Sequence, residues 1–251
     1  MHRSLEAAAI AIVVSLCACA DQPTTPTEDG AFVGTLAPRM ASSSSSSRFS
    51  DSFNSFNSSR WAKSTYSIPE MMRGASFRAE NVDVQNGLLK LTLPARSFNG
   101  GQIETKAKYG FGSYSATMEC PDVTGAYCTV FSYDDPTKDE IDIEIYKRSG
   151  RWTVEFTVKV GGENVCTDKM TPSFNPSTAM HTYRYDYSSG KIRFFVDGKE
   201  RAACSYSRGR RRNPPTSRMT FLLAAWWPTW MQGSQQATSK KMYVESASYT
   251  P

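Results

Sequence analysis

Histidine is almost missing from this chain. Its 251 residues include only His2 and His181, so a mixed Cys/His zinc site lacks ligands, and the cysteines fit no zinc spacing either. No segment has the density of acidic side chains that marks an oxygen-ligand calcium loop. The net charge of +5 is modest. No nucleic-acid-binding motif accompanies it, which argues against DNA or RNA as a partner. From Arg48 onward no helical period appears, and the apolar stretch near the start, Ala7 to Leu16, is too short to span a bilayer.

What the chain does have is strands. Val82 to Val84 and Leu88 to Leu93 flank Asn86-Gly87, a strong hairpin turn. Further segments run from Gln102 to Lys108, Ser113 to Glu119, Tyr127 to Tyr133, Asp139 to Tyr146, Trp152 to Val160 and Asn164 to Lys169. After them come Thr182 to Tyr187, Lys191 to Val196, Glu200 to Tyr206, Met219 to Trp226 and Lys241 to Tyr249. With 39% hydrophobic residues the chain can bury one sizeable core. So many antiparallel strands predict an all-β fold of two packed sheets, a sandwich or jelly roll.

One strand stands apart. In Asp139-Glu140-Ile141-Asp142-Ile143-Glu144-Ile145 carboxylates alternate with isoleucines, which puts Glu140, Asp142 and Glu144 on one face. Like charges at successive same-face positions repel, so the pattern calls for a chemical reason. A solvated acidic face is the plain alternative. On a strand the Cα atoms of Glu140 and Glu144 lie about 13 Å apart, and inward-leaning side chains bring the carboxyl groups to roughly 5 to 6 Å. That separation suits retaining glycoside hydrolysis, in which one carboxylate attacks the anomeric carbon and the other protonates the leaving oxygen. Asp142 between them can hydrogen-bond one glutamate and raise the pKa of a neighbour. Spacing alone does not say which glutamate attacks.

The run Asp139 to Glu144 (DEIDIE) resembles the active-site strand of glycoside hydrolase family 16, the lichenase and xyloglucan endotransglycosylase relatives. In family order the chain also carries Lys108 to Tyr114 (KYGFGSY), His181-Thr182-Tyr183, and Ile192 to Gly198 (IRFFVDG). The resemblance covers about residues 49 to 250. It implies a concanavalin A-like jelly roll whose curved sheet forms an open cleft, in a catalytic domain spanning 48–251. By resemblance Glu140 is the nucleophile, Asp142 its helper and Glu144 the acid/base. No cofactor is required; a structural calcium is compatible with the family, but the sequence does not locate one.

A polysaccharide cleft needs aromatic platforms for the apolar faces of sugar rings. Trp226, Trp227 and Trp230 fall where similar enzymes carry a cleft tryptophan, and adjacent Trp226 and Trp227 on a strand must point opposite ways, one into the core. Tyr133 is a further ligand candidate, while His181 reads as a packed, hydrogen-bonded residue. Relatives that cut mixed-linkage glucan usually show an acidic residue and an arginine where this chain has Gln102 and Glu104, which rewrites sugar contacts on one side. Lys138 and Thr157 also depart from the lichenase pattern. The E-x-D-x-E spacing resembles the lichenase branch. The expected activity is endo-hydrolysis of a mixed-linkage or β-1,3 glucan by a monomer; the alternatives are a transglycosylase and a non-catalytic glycan-binding jelly roll.

The ends and the cysteines point to export. Residues 1–20 read as a secretory signal, and Leu16-Cys17-Ala18-Cys19 resembles a lipoprotein box that would lipidate Cys19; cleavage before Asp21 is the alternative. Residues 21–47, rich in Pro, Thr and Ser, read as a tether to a bacterial cell envelope. Four other cysteines remain, and Cys120–Cys128 with Cys166–Cys204 is the expected pairing. The arginine knot from Arg208 to Arg212 reads as a solvated loop, with an anionic polymer or lipid surface as the alternative.

Overall fold

The computed structural model describes residues 47–205, 215 and 217–251. The expected signal peptide, the tether up to Ser46, Cys19 and the arginine knot lie outside the described residues. Fifteen strands follow in order: β1 (Phe49–Asp51), β2 (Trp61–Lys63), β3 (Val82–Gln85), β4 (Leu88–Leu93), β5 (Gly101–Tyr109), β6 (Gly112–Glu119), β7 (Tyr127–Asp134), β8 (Asp139–Arg148), β9 (Arg151–Val160), β10 (Glu163–Met170), β11 (His181–Tyr187), β12 (Lys191–Val196), β13 (Lys199–Ser205), β14 (Met219–Trp226) and β15 (Lys240–Thr250). A 3-10 turn at Ala79–Asn81 is the only helical element among the described residues. The strands form two antiparallel sheets, ordered β13-β12-β11-β6-β15-β4-β3, with β1 also on β15, and β10-β9-β8-β7-β14-β5-β2. This is the two-sheet sandwich that the alternation predicts.

Turn chemistry sets the register. Asn86-Gly87, Ser149-Gly150, Gly161-Gly162 and Asp197-Gly198 all have positive φ at both positions, the backbone of a two-residue hairpin whose twist matches its strands. The turn at Ser149-Gly150 closes Arg148 against Arg151, and from that pair Glu144 meets Glu155, Asp142 meets Thr157 and Glu140 meets Lys159.

Alternation then fills the core. Ile141, Ile143 and Ile145 are fully buried, as are Val154 and Val158 on β9 and Leu223 and Ala225 on β14. They pack with Leu89, Leu91, Tyr114, Met118, Tyr185, Phe194 and Val244 of the other sheet; each such side chain contributes about 1.5–3 kcal/mol. The short strands β1 and β2 carry too few residues for a period to show, and buried side chains hold them instead. Trp61 donates its indole N–H to Asp51 at 2.9 Å, and Arg60 pairs with the same carboxylate at 3.1 Å.

Both expected disulfides are present, Cys120–Cys128 and Cys166–Cys204. Each ties one sheet to the other, the second through the edge strands β10 and β13. His181 stacks on Phe174 at 3.7 Å and its Nδ1 lies 2.8 Å from Asp197. It packs on the sheet that does not carry the acids.

Candidate active site

Because the isoleucines of β8 turn inward, Glu140, Asp142 and Glu144 turn to the outer face of the seven-stranded sheet. Rows of side chains cross that face. Tyr133 of β7 stands beside Glu140, Phe131 beside Asp142 and Thr129 beside Glu144, while Lys159, Thr157 and Glu155 stand on the β9 side. On β14 the matching positions are Thr220, Leu222 and Ala224. Met71, Met72 and Phe77 pack over Ala224, Phe131 and Trp226, so the segment before β3 covers one half of the face and forms a wall next to the acids.

The carboxylates occupy unequal environments. Lys159 Nζ lies 2.6 Å from Glu140 Oε2 and 3.8 Å from Asp142 Oδ2. Burial raises the Asp142 pKa well above the ordinary carboxylate range, the charge of Glu140 adds to it, and protonated Asp142 donates a hydrogen bond to Glu140. Glu144 is pushed up to about 8, first by burial; Lys159 pulls it down, and Glu155 and Glu140 push it up. Burial works against the charge on Lys159, yet Asp142 and Glu140 outweigh it and raise the pKa of the ammonium. A carboxylate held by a cation, next to one that keeps its proton near neutrality, is the division of labour that covalent glycoside chemistry uses.

The other expected ligands scatter. Tyr133 is on this face beside Glu140, with its hydroxyl donating to Asp135 at 3.3 Å. Glu104 lies there as well, half-buried, with its pKa raised by burial. Gln102 does not reach the surface. It is 1% exposed, and its amide donates to Ser64 at 2.8 Å and to the Tyr66 hydroxyl at 2.6 Å, so it supports Tyr66 and offers nothing to a sugar. Trp227 is likewise misplaced as a ligand. It is 1% exposed and packs edge-on against Phe98 in the core, because strand alternation turns Trp226 outward and sends its neighbour inward. Trp226 and Trp230 face each other at 5.6 Å and 80°. Trp230 is 51% exposed and donates its indole N–H to Tyr127 at 3.1 Å.

Several residues of the site are absent from the sequence expectations. Lys159 and Glu155 alternate with buried Val154, Phe156 and Val158, and the two-residue turn before them was signal enough to place them. Tyr66 had no such signal, since it lies in an irregular segment. Arg73 ties that segment to the tryptophan loop through the carbonyls of Pro228, Met231 and Gly233. Among the described residues no three His, Cys, Asp or Glu side chains converge as a metal site would require. A hollow of about 560 Å³ lined by Asp122, Lys147 and Gln236 contains none of the three acids.

Comparison with known proteins identifies the family. A beta-glucanase of Paenibacillus polymyxa is 34% identical over 151 residues, 57% of this chain and 63% of that protein. One from Bacillus subtilis is 30% identical over 179 residues, 68% of this chain and 74% of that protein. The first of these matches thus spans less than two thirds of its relative's length. The solved Bacillus licheniformis beta-glucanase superposes with a TM-score of 0.72 at 24% identity, covering 81% of this chain and 98% of that one, a likeness of fold. The family model for glycosyl hydrolases family 16 matches residues 72–245, more than half of the chain, and with the two-sheet fold and the carboxylate strand this places the protein in glycosyl hydrolases family 16.

Proposed function

We propose that this chain is an endo-acting, retaining β-glucan hydrolase, with Glu140 as nucleophile, Glu144 as acid/base and Asp142 as helper. The observation that carries the reading is the asymmetry of the two glutamates: Glu140 is paired with a lysine, and half-buried Glu144 has its pKa raised to about 8. In the first step an oxygen of Glu140 bonds to the anomeric carbon as the glycosidic bond breaks, and the proton of Glu144 goes to the leaving oxygen. In the second, Glu144 takes a proton from water, whose oxygen bonds to the anomeric carbon and releases Glu140.

The charge of the face favours a neutral polymer. With Asp142 and Glu144 holding their protons, Glu140 pairs with Lys159 and Glu155 with Lys169, and the peripheral Lys108 and Lys138 are paired with Asp134 and Asp135. These paired cations offer a sulfated chain no excess of positive charge beside the acids. Trp230 offers the exposed aromatic platform. Incubation with β-1,3, mixed β-1,3-1,4, xyloglucan and sulfated galactan polymers should give internal cleavage of a neutral glucan, with Trp230→Ala raising KM more than it lowers kcat. Cleavage of the sulfated polymer alone would overturn the substrate reading, and binding without products would replace hydrolysis with a lectin role.

The two disulfides fit an oxidising compartment. The lipoprotein-like sequence ending at Cys19 supports an envelope location through a lipid anchor. Labelled fatty acid should enter the wild type and not Cys19→Ala; a soluble product beginning at Asp21 would establish plain secretion.

A further inference from the structure

On β9 the charges facing the acid strand alternate in sign. The register sets Lys159 against Glu140 and Glu155 against Glu144, with neutral Thr157 between them against Asp142. Neither charged residue is loose. Lys159 is half-buried and in contact with its glutamate at 2.6 Å. Glu155 accepts a hydrogen bond from the Tyr146 hydroxyl at 2.8 Å and pairs with Lys169 of β10 at 3.0 Å, which fixes its position. A pair of opposite charges placed by one turn, each opposite a different glutamate, has more than solubility to explain it.

We propose that Lys159 and Glu155 are positioning residues that assign the two glutamates their opposite roles, the lysine holding Glu140 as the ionised attacker and the glutamate holding Glu144 as the proton carrier. The inference rests on the glycosidase reading above. It accounts for both steps. Before attack, Lys159 neutralises one oxygen of Glu140 and fixes the carboxylate plane, leaving the other oxygen to bond to carbon. Once Glu140 is an ester it has no charge, and Lys159 remains close to Asp142. Glu144, having given up its proton, then stands as an anion opposite Glu155, and their repulsion makes it the stronger base toward water.

Other ionisable groups share the site. Around Glu140 stand Asp142 on its own strand, Lys159 on β9, Tyr133 on β7 and Tyr66 from the wall, with Glu104 of β5 acting on Tyr66. Around Glu144 stand Glu140, Tyr127 on β7, Tyr146 on β8, Lys159 and Glu155 on β9, and Lys169 on β10. Of these, Glu155 and Lys159 act on Glu144 with opposite signs, and that opposition gives the test.

The experiment is the pH profile of kcat/KM for the full chain and for Lys159→Gln, Lys159→Arg and Glu155→Gln, with thermal melts for each. Carbon-detected NMR titration of glutamate carboxyls accompanies it without substrate. Lys159→Gln should move both limbs to higher pH by about one unit and lower the optimum roughly tenfold, with Lys159→Arg restoring the profile. Glu155→Gln should move only the alkaline limb, to lower pH by about one unit. Folded variants with unmoved limbs, or with limbs moved in the same direction by both changes, would overturn the proposal. If no β-glucan is cleaved, the glycosidase reading fails separately. The titration then decides alone: a Glu144 signal that titrates lower in Glu155→Gln supports the proposal, and one that does not move overturns it.

Discussion

Glu144→Gln should lower kcat/KM by about a thousandfold or more on substrates with poor leaving groups, abolish the alkaline limb, and still raise the melting temperature at pH 9. The two effects share a cause. In the folded protein Glu144 holds its proton up to about pH 8, against an ordinary value of 4.5, so between those values the native state binds more protons than the unfolded chain. Stability is therefore full below about pH 4.5 and falls as pH rises through about 8. Glutamine carries no charge to bury, so the variant's advantage should be present at pH 9 and absent at pH 4. Glu140→Gln should lose activity to a similar degree without that gain, because it leaves Lys159 facing an uncharged amide. In Glu140→Gly, azide should restore turnover of activated substrates. Near wild-type turnover by both glutamine variants would remove the mechanism, and azide rescue confined to a Glu144 variant would exchange the two roles.

Loss of the Cys166–Cys204 bridge should destabilise the fold more than loss of Cys120–Cys128. Its 38-residue separation gives about 4 kcal/mol of loop-closure entropy, against about 2.5 kcal/mol for the 8-residue Cys120–Cys128 loop. For a domain near this size, 4 kcal/mol is a fall of roughly 8 to 16 °C in melting temperature. The paired variant Cys166→Ser with Cys204→Ser should therefore melt about 3 to 6 °C below Cys120→Ser with Cys128→Ser, without reductant. Equal melting of the two pairs would show that loop length does not govern the effect here.

Period-two alternation made the sheets legible before any coordinates. Every strand of six residues or more falls within a few residues of where its pattern places it, from Leu88–Leu93 to Met219–Trp226. The three-residue strands β1 and β2 escaped because no period fits in so short a span. Within the site, alternation put the three acids on one face and required one of Trp226 and Trp227 to be core. It could not say that Trp227 was the one, since that depends on which face the second sheet covers. Gln102 read as a ligand because only its strand position was visible, and its burial comes from Ser64 and Tyr66 in an irregular segment. Lys159 and Glu155 were recoverable in principle. Their partners follow from counting outward from Ser149-Gly150.

Strand order also constrains when the protein can fold. In each sheet an inner strand comes from the last part of the chain: β14 lies between β7 and β5, and β15 between β6 and β4. Until the ribosome has released those strands, the earlier ones form incomplete sheets with bare inner edges, and no stable sandwich can close. The pairings that finish the fold join residues more than a hundred positions apart, such as Ser50 with Ser248 and Thr92 with Lys241. Such a chain stays open through most of its synthesis and gains its structure late and all at once. A chain that folds so late is compatible with the export proposed above, because an unfolded polypeptide is what a translocation channel accepts.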